Sequence, residues 1–206
     1  MESITKERFT RTLKEKGVSL FVYSDLFKFF NLSSESAAKS LLYRLKKAQI
    51  IESLARGKFC FNFSSHSPSD FAIANFLNTP SYVSLESALS FYGLINQFPY
   101  QVTSVTLGKT KTFKFNQKIF TFTHLRSDYF VDYVQKDDFT IATPLKAVFD
   151  FVYLVYKGSR SKNNLDLLIF SKDGVTKTGF KDYLRIVIEK HGEIKFLKFC
   201  QNQKLI

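Results

Sequence analysis

Residues 31–63 read NLSSESAAKSLLYRLKKAQIIESLARGKFCFNF, and this stretch determines the fold that we predict for the first part of the chain. Apolar residues recur at helical spacing, which predicts a helix with one buried stripe, formed by Ala38, Leu41, Leu42 and Leu45. Ser33 or Ser34 is expected to cap this helix, because a hydroxyl there can accept from the free amides of the first turn. Two short strands follow, joined by the turn Ala-Arg-Gly-Lys at residues 55–58.

The face of the predicted helix opposite the stripe combines cations with hydrogen-bonding side chains, and we expect no carboxylate on it. A helix that enters the major groove of DNA needs cations for phosphates and polar side chains for base edges. The basic turn would reach the backbone or the adjacent minor groove. We therefore predict double-stranded DNA as a partner and the following DNA-binding residues: Ser36, Lys39, Ser40, Tyr43, Lys46, Lys47, Arg56 and Lys58. The alternative is an ordinary amphipathic helix and hairpin whose charges are only solvated.

The residues on either side of this stretch complete a first domain. Residues 3–16 predict an amphipathic helix that ends at Gly17, followed by a strand at 18–23 and a short helix at 25–30. Helix, strand, helix, turn, helix and hairpin is the order of a winged helix-turn-helix domain. The Ser- and Pro-rich residues 64–69 predict a linker, so we place the domains at 1–65 and 70–206.

The second domain is predicted to be mixed α/β, which makes the whole chain α+β. Helices are expected at 70–78 and 84–92, then strands at 101–107, 112–115, 118–124, 129–134 and 139–142. Thr143 and Pro144 open a helix that is apolar almost all round, so we expect it at the centre of this domain. Two or three helices should end the chain, at 165–170, 179–191 and 194–201.

Charge is unevenly distributed along the chain, whose net charge is +12. Residues 1–63 hold 12 Lys and Arg against 6 Asp and Glu, residues 64–142 hold 6 against 6, and residues 143–206 again hold 12 against 6. A basic beginning and end around a neutral middle predict two separate surfaces that face polyanions or other partners.

Compartment is predicted from the two cysteines and from the apolar segments. Cys60 and Cys200 are too few and too distant for a disulfide framework, which favours a reducing cytoplasm. The first 17 residues have no apolar signal core, and the most apolar run, at 147–156, is too short to span a bilayer. We therefore expect a cytoplasmic protein without a membrane partner.

Three segments resemble a known protein family in order and spacing. Residues 80–95 (PSYVSLESALSFYGLI), 139–154 (FTIATPLKAVFDFVYL) and 50–57 (IIESLARG) are similar to segments of AbiEi-type antitoxins. The chain departs from that pattern at Phe149, where Leu is common, and at Leu145, where the family usually has Glu. A role of that Glu in partner binding is therefore open here.

The resemblance implies a function that the residues alone do not. It implies an N-terminal winged helix-turn-helix domain that represses its own operon at an inverted repeat in the promoter. It also implies a C-terminal antitoxin domain that neutralises a cognate AbiEii-like toxin of nucleotidyltransferase type, in a type IV toxin–antitoxin system of phage defence, without requiring a stable complex. On this basis Lys181, Arg185 and Lys190 are candidates for an antitoxin surface; otherwise they form a solvated helix face.

Motifs of catalysis and metal binding are absent from the sequence. There is no Walker A, G-x-S-x-G or G-x-G-x-x-G motif, and His66, His124 and His191 have no second ligand at metal-binding spacing. We therefore predict no catalytic residues, no metal and no cofactor, and a protein that is not an enzyme.

Two other features leave alternatives open. Lys146 and Asp150 are four residues apart on the apolar helix, so they form either an intrahelical pair tied to residues 84–87 or a catalytic or partner-binding site. The basic hairpin KTKTFKFNQK at 109–118 is either solvated or in contact with nucleic acid.

Two other classes of function compete with the antitoxin hypothesis. A ligand-sensing winged-helix regulator would need an apolar pocket with convergent polar groups in its second domain. An enzyme that acts on nucleic acid would need clustered carboxylates or a metal site.

Overall fold

The computed structural model describes residues 4–170 and 175–206, within which the chain forms two compact units, Met1–Leu77 and Asn78–Ile206. The fold is mixed α+β, with two sheets. The division falls later than the linker at residues 64–69, which therefore lies inside the first unit.

The first unit contains four helices and a small sheet among its described residues. Its elements are α1 (Lys6–Glu15), β1 (Leu20–Val22), α2 (Asp25–Phe30), α3 (Glu35–Lys47), β2 (Ile51–Ala55), β3 (Lys58–Phe61) and α4 (Asp70–Leu77). The antiparallel sheet has the order β1-β3-β2, with Phe21 opposite Phe59 and Ile51 opposite Phe61. The expected helices at 3–16 and 25–30 and the hairpin are confirmed.

Local signals explain where these helices begin and end. The Thr5 side chain accepts from the amide of Arg8 at the start of α1, and Gly17, with φ of +63°, follows its end. Asn31 adopts the left-handed conformation that ends α2. Phe9 lies in the core and contacts three other aromatic rings, those of Phe21, Phe30 and Phe61.

The second unit is built on a six-stranded mixed sheet. Its elements are β4 (Ser81–Val83), α5 (Leu85–Phe91), β5 (Gln101–Thr106), β6 (Lys111–Phe115), β7 (Lys118–His124), β8 (Tyr133–Lys136), β9 (Phe139–Ala142), α6 (Pro144–Tyr156), α7 (Lys177–His191) and α8 (Ile194–Asn202). The strand order is β6-β7-β5-β4-β9-β8. The β5–β7 and β4–β9 pairs are parallel and the other three are antiparallel.

Helix α6 lies at the centre of this unit, as its composition predicts. Every residue from Lys146 to Val155 is buried. The helix contacts α5, α7, α8 and β9. Pro144 occupies its first turn, where the missing amide of proline costs no hydrogen bond.

Two local predictions for the second unit are wrong. The strand expected at 129–134 begins only at Tyr133, because residues 127–129 form a 3₁₀ turn. The helix expected at 165–170 is a 3₁₀ segment over Lys162–Leu167. Both segments have the apolar content of a regular element, and periodicity cannot distinguish such short segments from turns.

Candidate functional site

The exposed face of α3 holds six of the eight residues predicted to bind DNA. They are all solvent-exposed: Ser36, Lys39, Ser40, Tyr43, Lys46 and Lys47. The apolar stripe on the other side of the helix is buried, as expected. Tyr43 is 67% exposed, which is unusual for an aromatic ring on a helix with a well-packed inner face.

Two contacts fix the beginning of α3. The Ser34 hydroxyl accepts from the amide of Ala37 at 3.2 Å, which confirms Ser34 as one of the two expected caps. The Tyr23 hydroxyl donates to the carbonyl of Glu35 at 3.3 Å and so ties the first turn of α3 to the end of β1. The polar face is therefore held by groups outside the helix as well as by its own stripe.

One carboxylate lies beside this face, contrary to expectation. Glu35 Oε2 is 3.3 Å from Lys39 Nζ, and both side chains are largely exposed. An exposed pair of this kind contributes at most about 1 kcal/mol, so Lys39 can exchange Glu35 for a phosphate at little cost. The signal was in the sequence, because acidic residues favour the first turn of a helix.

The β2–β3 hairpin adds an exposed cation, Arg56, and also contacts Lys46 of α3 through the Phe59 ring. Lys46 Nζ lies 5.1 Å from the centre of the Phe59 ring on β3, and Arg56 is exposed at the turn. Gly57 adopts φ of +72°, which the tight turn requires. The hairpin contacts α3 through β2 and exposes Arg56 at its turn.

Lys58 points elsewhere than predicted. Its ammonium donates to the carbonyls of Phe76 at 2.6 Å and Leu77 at 3.0 Å, and lies 5.4 Å from the Phe76 ring centre. A cation at the end of a helix satisfies free carbonyls and opposes the negative end of the helix dipole. Lys58 thus caps the end of α4. The sequence around the Gly57 turn does not indicate this contact, because the carbonyls that Lys58 binds lie 18 and 19 residues further along the chain.

Sequence reasoning missed Arg44 on the same helix. Arg44 is exposed, and its guanidinium donates to the carbonyl of Ile4 at 3.5 Å. It lines a groove of about 570 Å³ together with Arg8 and Ser40. Its spacing of four and eight residues after Ser40 and Ser36 would have placed it on their face.

The second unit contains a buried polar cluster around Asp150. Lys146 Nζ donates to Asp150 Oδ1, while the hydroxyls of Ser84 and Tyr82 donate to Oδ2 at 2.7 Å and 3.0 Å. All four side chains are inaccessible to solvent. Burial raises the pKa of the Asp150 carboxyl, and it raises the pKa of Tyr82 well above its ordinary value.

This cluster fits the structural interpretation better than the catalytic one. The helix pair is tied to residue 84, as that interpretation requires, and each carboxylate oxygen already accepts from a neighbour. Ser84 precedes α5, but its hydroxyl donates to Asp150 and does not accept from the amides of the first turn of the helix. The Thr103 hydroxyl takes over the capping role, since it accepts from the amide of Ser87 at 2.9 Å.

A cavity of about 290 Å³ lies between α6, α7 and the segment at 128–132. Lys146, Asp132 and Tyr183 are among its lining residues. The Tyr183 hydroxyl donates to Asp132 Oδ2 at 2.7 Å, and Lys146 is paired with Asp150. Tyr183 and Lys146 are therefore already engaged within the protein.

The three residues of the expected antitoxin surface do not share one face of α7. Lys181 and Arg185 are exposed and one turn apart, and Arg185 is 3.9 Å from Asp182. Lys190 borders the cavity. At about 100° per residue it lies roughly opposite Lys181 around the helix. The structure thus brings together two of the three.

No protein-family model matches this chain, and no curated protein matches it.

Two further findings concern the described residues alone. Within residues 4–170 and 175–206, no group of three or more His, Cys, Asp or Glu side chains is arranged to hold a metal ion. In the same ranges, no helix combines the length and apolarity needed to cross a membrane.

Proposed function

We propose that this chain is a DNA-binding antitoxin that represses its own operon and neutralises a nucleotidyltransferase-type toxin. The observation that carries the DNA-binding part is the exposed face of α3, with three lysines, two serines and a tyrosine, next to Arg56 on the hairpin turn. The element order of the first unit and its β1-β3-β2 sheet are typical of a winged helix-turn-helix, which supports this assignment.

The dimensions and chemistry of α3 suit a major groove. Its 13 residues extend over about 20 Å, and a helix about 10–12 Å wide fits a groove about 12 Å wide. Lys39, Lys47 and Arg56 would neutralise phosphates, which gives affinity without sequence preference. Ser36, Ser40 and Tyr43 would contact base edges and so provide sequence preference.

The toxin-neutralising part rests on the resemblance of residues 80–95 and 139–154 to AbiEi-type antitoxins. Both segments lie in the second unit, where they include α5 and α6. The DNA-facing residues lie in the first unit. A separation of DNA binding from antitoxin activity is therefore what we propose.

The DNA-binding part is tested with the DNA upstream of this chain's own gene. Fluorescence anisotropy should show binding to an inverted repeat that weakens roughly a hundredfold between about 50 and 200 mM salt, if about four phosphates are neutralised. Lys47→Glu with Arg56→Glu should reduce affinity at least tenfold. Lys6→Glu with Lys14→Glu on α1 makes the same change in net charge and should have a much smaller effect. Salt-independent binding, or equal effects of the two double substitutions, would contradict the assignment.

A ligand-sensing regulator is the second candidate, and the cavity beside α6 and α7 favours it. Its volume is just below the roughly 300–1,000 Å³ typical of ligand sites, and the side chains of Lys146 and Tyr183 in its wall are already hydrogen-bonded. A metabolite that raises the melting temperature, with the increase lost in Tyr183→Phe, would favour this candidate. No shift across a metabolite library would count against it.

A further inference from the structure

The part of the second unit at residues 87–127 contains no acidic residue. It contains five cations: Lys109, Lys111, Lys114, Lys118 and Arg126. Lys109, Lys111 and Lys114 are exposed, and none of them forms an ion pair with any residue that the structure describes. Arg126 pairs with Asp128 and Glu193, whereas these three lysines create a local cationic field that attracts polyanions.

Most of these lysines lie on an edge of the six-stranded sheet. Strand β6, which carries Lys111 and Lys114, is the terminal strand and pairs only with β7 within the sheet. Lys118 begins β7, opposite Phe115. The lysines therefore line one hairpin rather than being dispersed over the unit.

Two highly exposed aromatic rings lie in the loop that leads into β5. Phe98 is 95% exposed and Tyr100 is 80% exposed. The Tyr100 hydroxyl donates to the carbonyl of Gln117 at 3.4 Å, which attaches this loop to the β6–β7 turn. The aromatic side chains and the basic hairpin thus form one surface.

The strand register places rings and cations in alternation. Gln101 lies opposite Ile119 in the parallel β5–β7 pair, so Tyr100 is level with Lys118, which in turn is opposite Phe115 on β6. Neighbouring strands are about 4.8 Å apart, and residues level with each other share a face. Tyr100, Lys118 and Phe115 therefore form a row across the end of three strands.

Lysines on an edge strand also prevent pairing with another sheet, and this accounts for part of the pattern. It does not account for Phe98 and Tyr100, because exposed aromatic rings would promote the association that such lysines prevent. A partner that needs both features explains the whole surface. Single-stranded nucleic acid is such a partner, since its bases stack on aromatic rings while its phosphates contact cations.

We propose that the surface formed by residues 98–100 and the hairpin 109–118 binds single-stranded nucleic acid. This surface lies in the second unit and is separate from the α3 face in the first unit. Tyr100 and Phe98 stack on bases, and Lys111 and Lys118, which share a face of the strands with Phe115, contact the phosphates. Binding tolerates different sequences, because every base offers a face for stacking.

The test measures binding of the full chain to fluorescein-labelled oligouridylate and oligothymidylate of about 12 nucleotides, by anisotropy at low salt. We expect saturable binding to at least one of them, weakened at least about tenfold by Phe98→Leu with Tyr100→Leu. Lys111→Glu with Lys118→Glu should weaken it by a similar factor. Preference for one oligonucleotide would identify RNA or DNA as the natural strand.

Two controls separate this site from other sources of affinity. Lys195→Glu with Lys198→Glu on α8 makes the same change in net charge and should leave binding within about threefold. Tyr43→Leu with Lys47→Glu on α3 should weaken binding to duplex DNA but not binding to single strands. The single-strand proposal and the α3 assignment can therefore fail independently of each other. All of the substituted side chains are exposed in the wild-type chain, and thermal melting checks that each variant stays folded.

Three results would overturn the proposal. The first is the absence of saturable binding to either oligonucleotide. The second is undiminished binding by the Phe98→Leu, Tyr100→Leu variant, which would show that the bases do not stack on these rings and that only the charge of the lysines attracts the strand. The third is a combination of two findings: the wild-type chain binds neither oligonucleotide, and the hairpin variants no longer neutralise the toxin. That combination would assign the surface to a protein partner.

Discussion

At the scale of single residues, Lys146 and Asp150 are the only charged side chains among the described residues that are buried. Removing two charges from water costs several kcal/mol per ion, and their attraction offsets this only when the remaining hydrogen-bonding capacity is satisfied. Ser84 and Tyr82 satisfy this capacity, because both hydroxyls donate to the second oxygen of the Asp150 carboxylate. The cluster therefore joins α6 to the segment between β4 and α5.

Breaking this pair should strongly destabilise the second unit. Lys146→Met leaves a buried carboxylate without its cation and should lower the free energy of unfolding by about 3–5 kcal/mol. Urea unfolding can be followed by tyrosine fluorescence, since the chain has no Trp and eight of its ten Tyr residues lie after residue 77. Arg185→Met removes the exposed pair with Asp182 and should change stability by less than about 1 kcal/mol. Equal effects of the two substitutions would disprove the structural role of the cluster.

The two cysteines should be unreactive in the folded protein. Burial raises the pKa of Cys60 to about 11 and that of Cys200 to about 12. The thiolate, which is the reactive form, is therefore nearly absent at pH 8. A disulfide reagent should label neither thiol within minutes, and both once urea unfolds the chain. Because the folded pKa values are raised, the thiols also destabilise the fold as pH rises above about 9. Rapid labelling of the native chain would contradict this burial.

At the scale of elements, the two amphipathic helices α3 and α7 show what a charge pattern can predict. On α3 the predicted cations and polar groups share one exposed face, because they recur at three- and four-residue spacing. On α7 the predicted residues are cations expected to remain outside the buried stripe, and all three are exposed, but Lys190 borders the cavity on the opposite side of the helix from Lys181. Position relative to the stripe therefore predicts exposure, but it does not predict that the three residues share one face.

Helix α4 should stabilise the first unit through Lys58. A fragment ending at residue 77 retains the carbonyls of Phe76 and Leu77 that Lys58 binds, whereas a fragment ending at residue 65 lacks α4. Charge-assisted hydrogen bonds of this kind contribute about 1–2 kcal/mol when partly exposed, so the longer fragment should unfold at higher urea concentration.

The Lys58→Met variant separates this contact from the length of the fragment. It should lower the stability of residues 1–77 and leave that of residues 1–65 nearly unchanged. Both effects can be read from urea unfolding by circular dichroism. If Lys58→Met instead weakened DNA binding and left stability unchanged, Lys58 would return to the DNA-binding set.

At the scale of the whole molecule, the sequence predicted most elements but not their grouping. Stripe periodicity, caps and glycine stops predicted α1, α3 and the hairpin, because these signals are local. The Ser- and Pro-rich residues predict a boundary at 64–69, whereas the compact first unit extends to Leu77 and Lys58 binds a carbonyl of α4. Likewise, the partners Tyr82 and Asp150 are 68 residues apart, and no local pattern indicates that they meet.

The proposed division of function between the two units can be tested by co-expression with a nucleotidyltransferase-type toxin encoded beside this chain. Residues 78–206 should restore growth, and residues 1–77 should bind the promoter without restoring growth, because the resembling segments 80–95 and 139–154 lie in the second unit. In the full chain, Lys181→Glu with Arg185→Glu should reduce rescue, since these side chains share one exposed face of α7. Lys190→Glu, on the other side of the helix, is the control and should have little effect. Circular dichroism checks that each protein is folded. Rescue by residues 1–77, or failure by a folded second unit, would show that the two functions are not divided in this way.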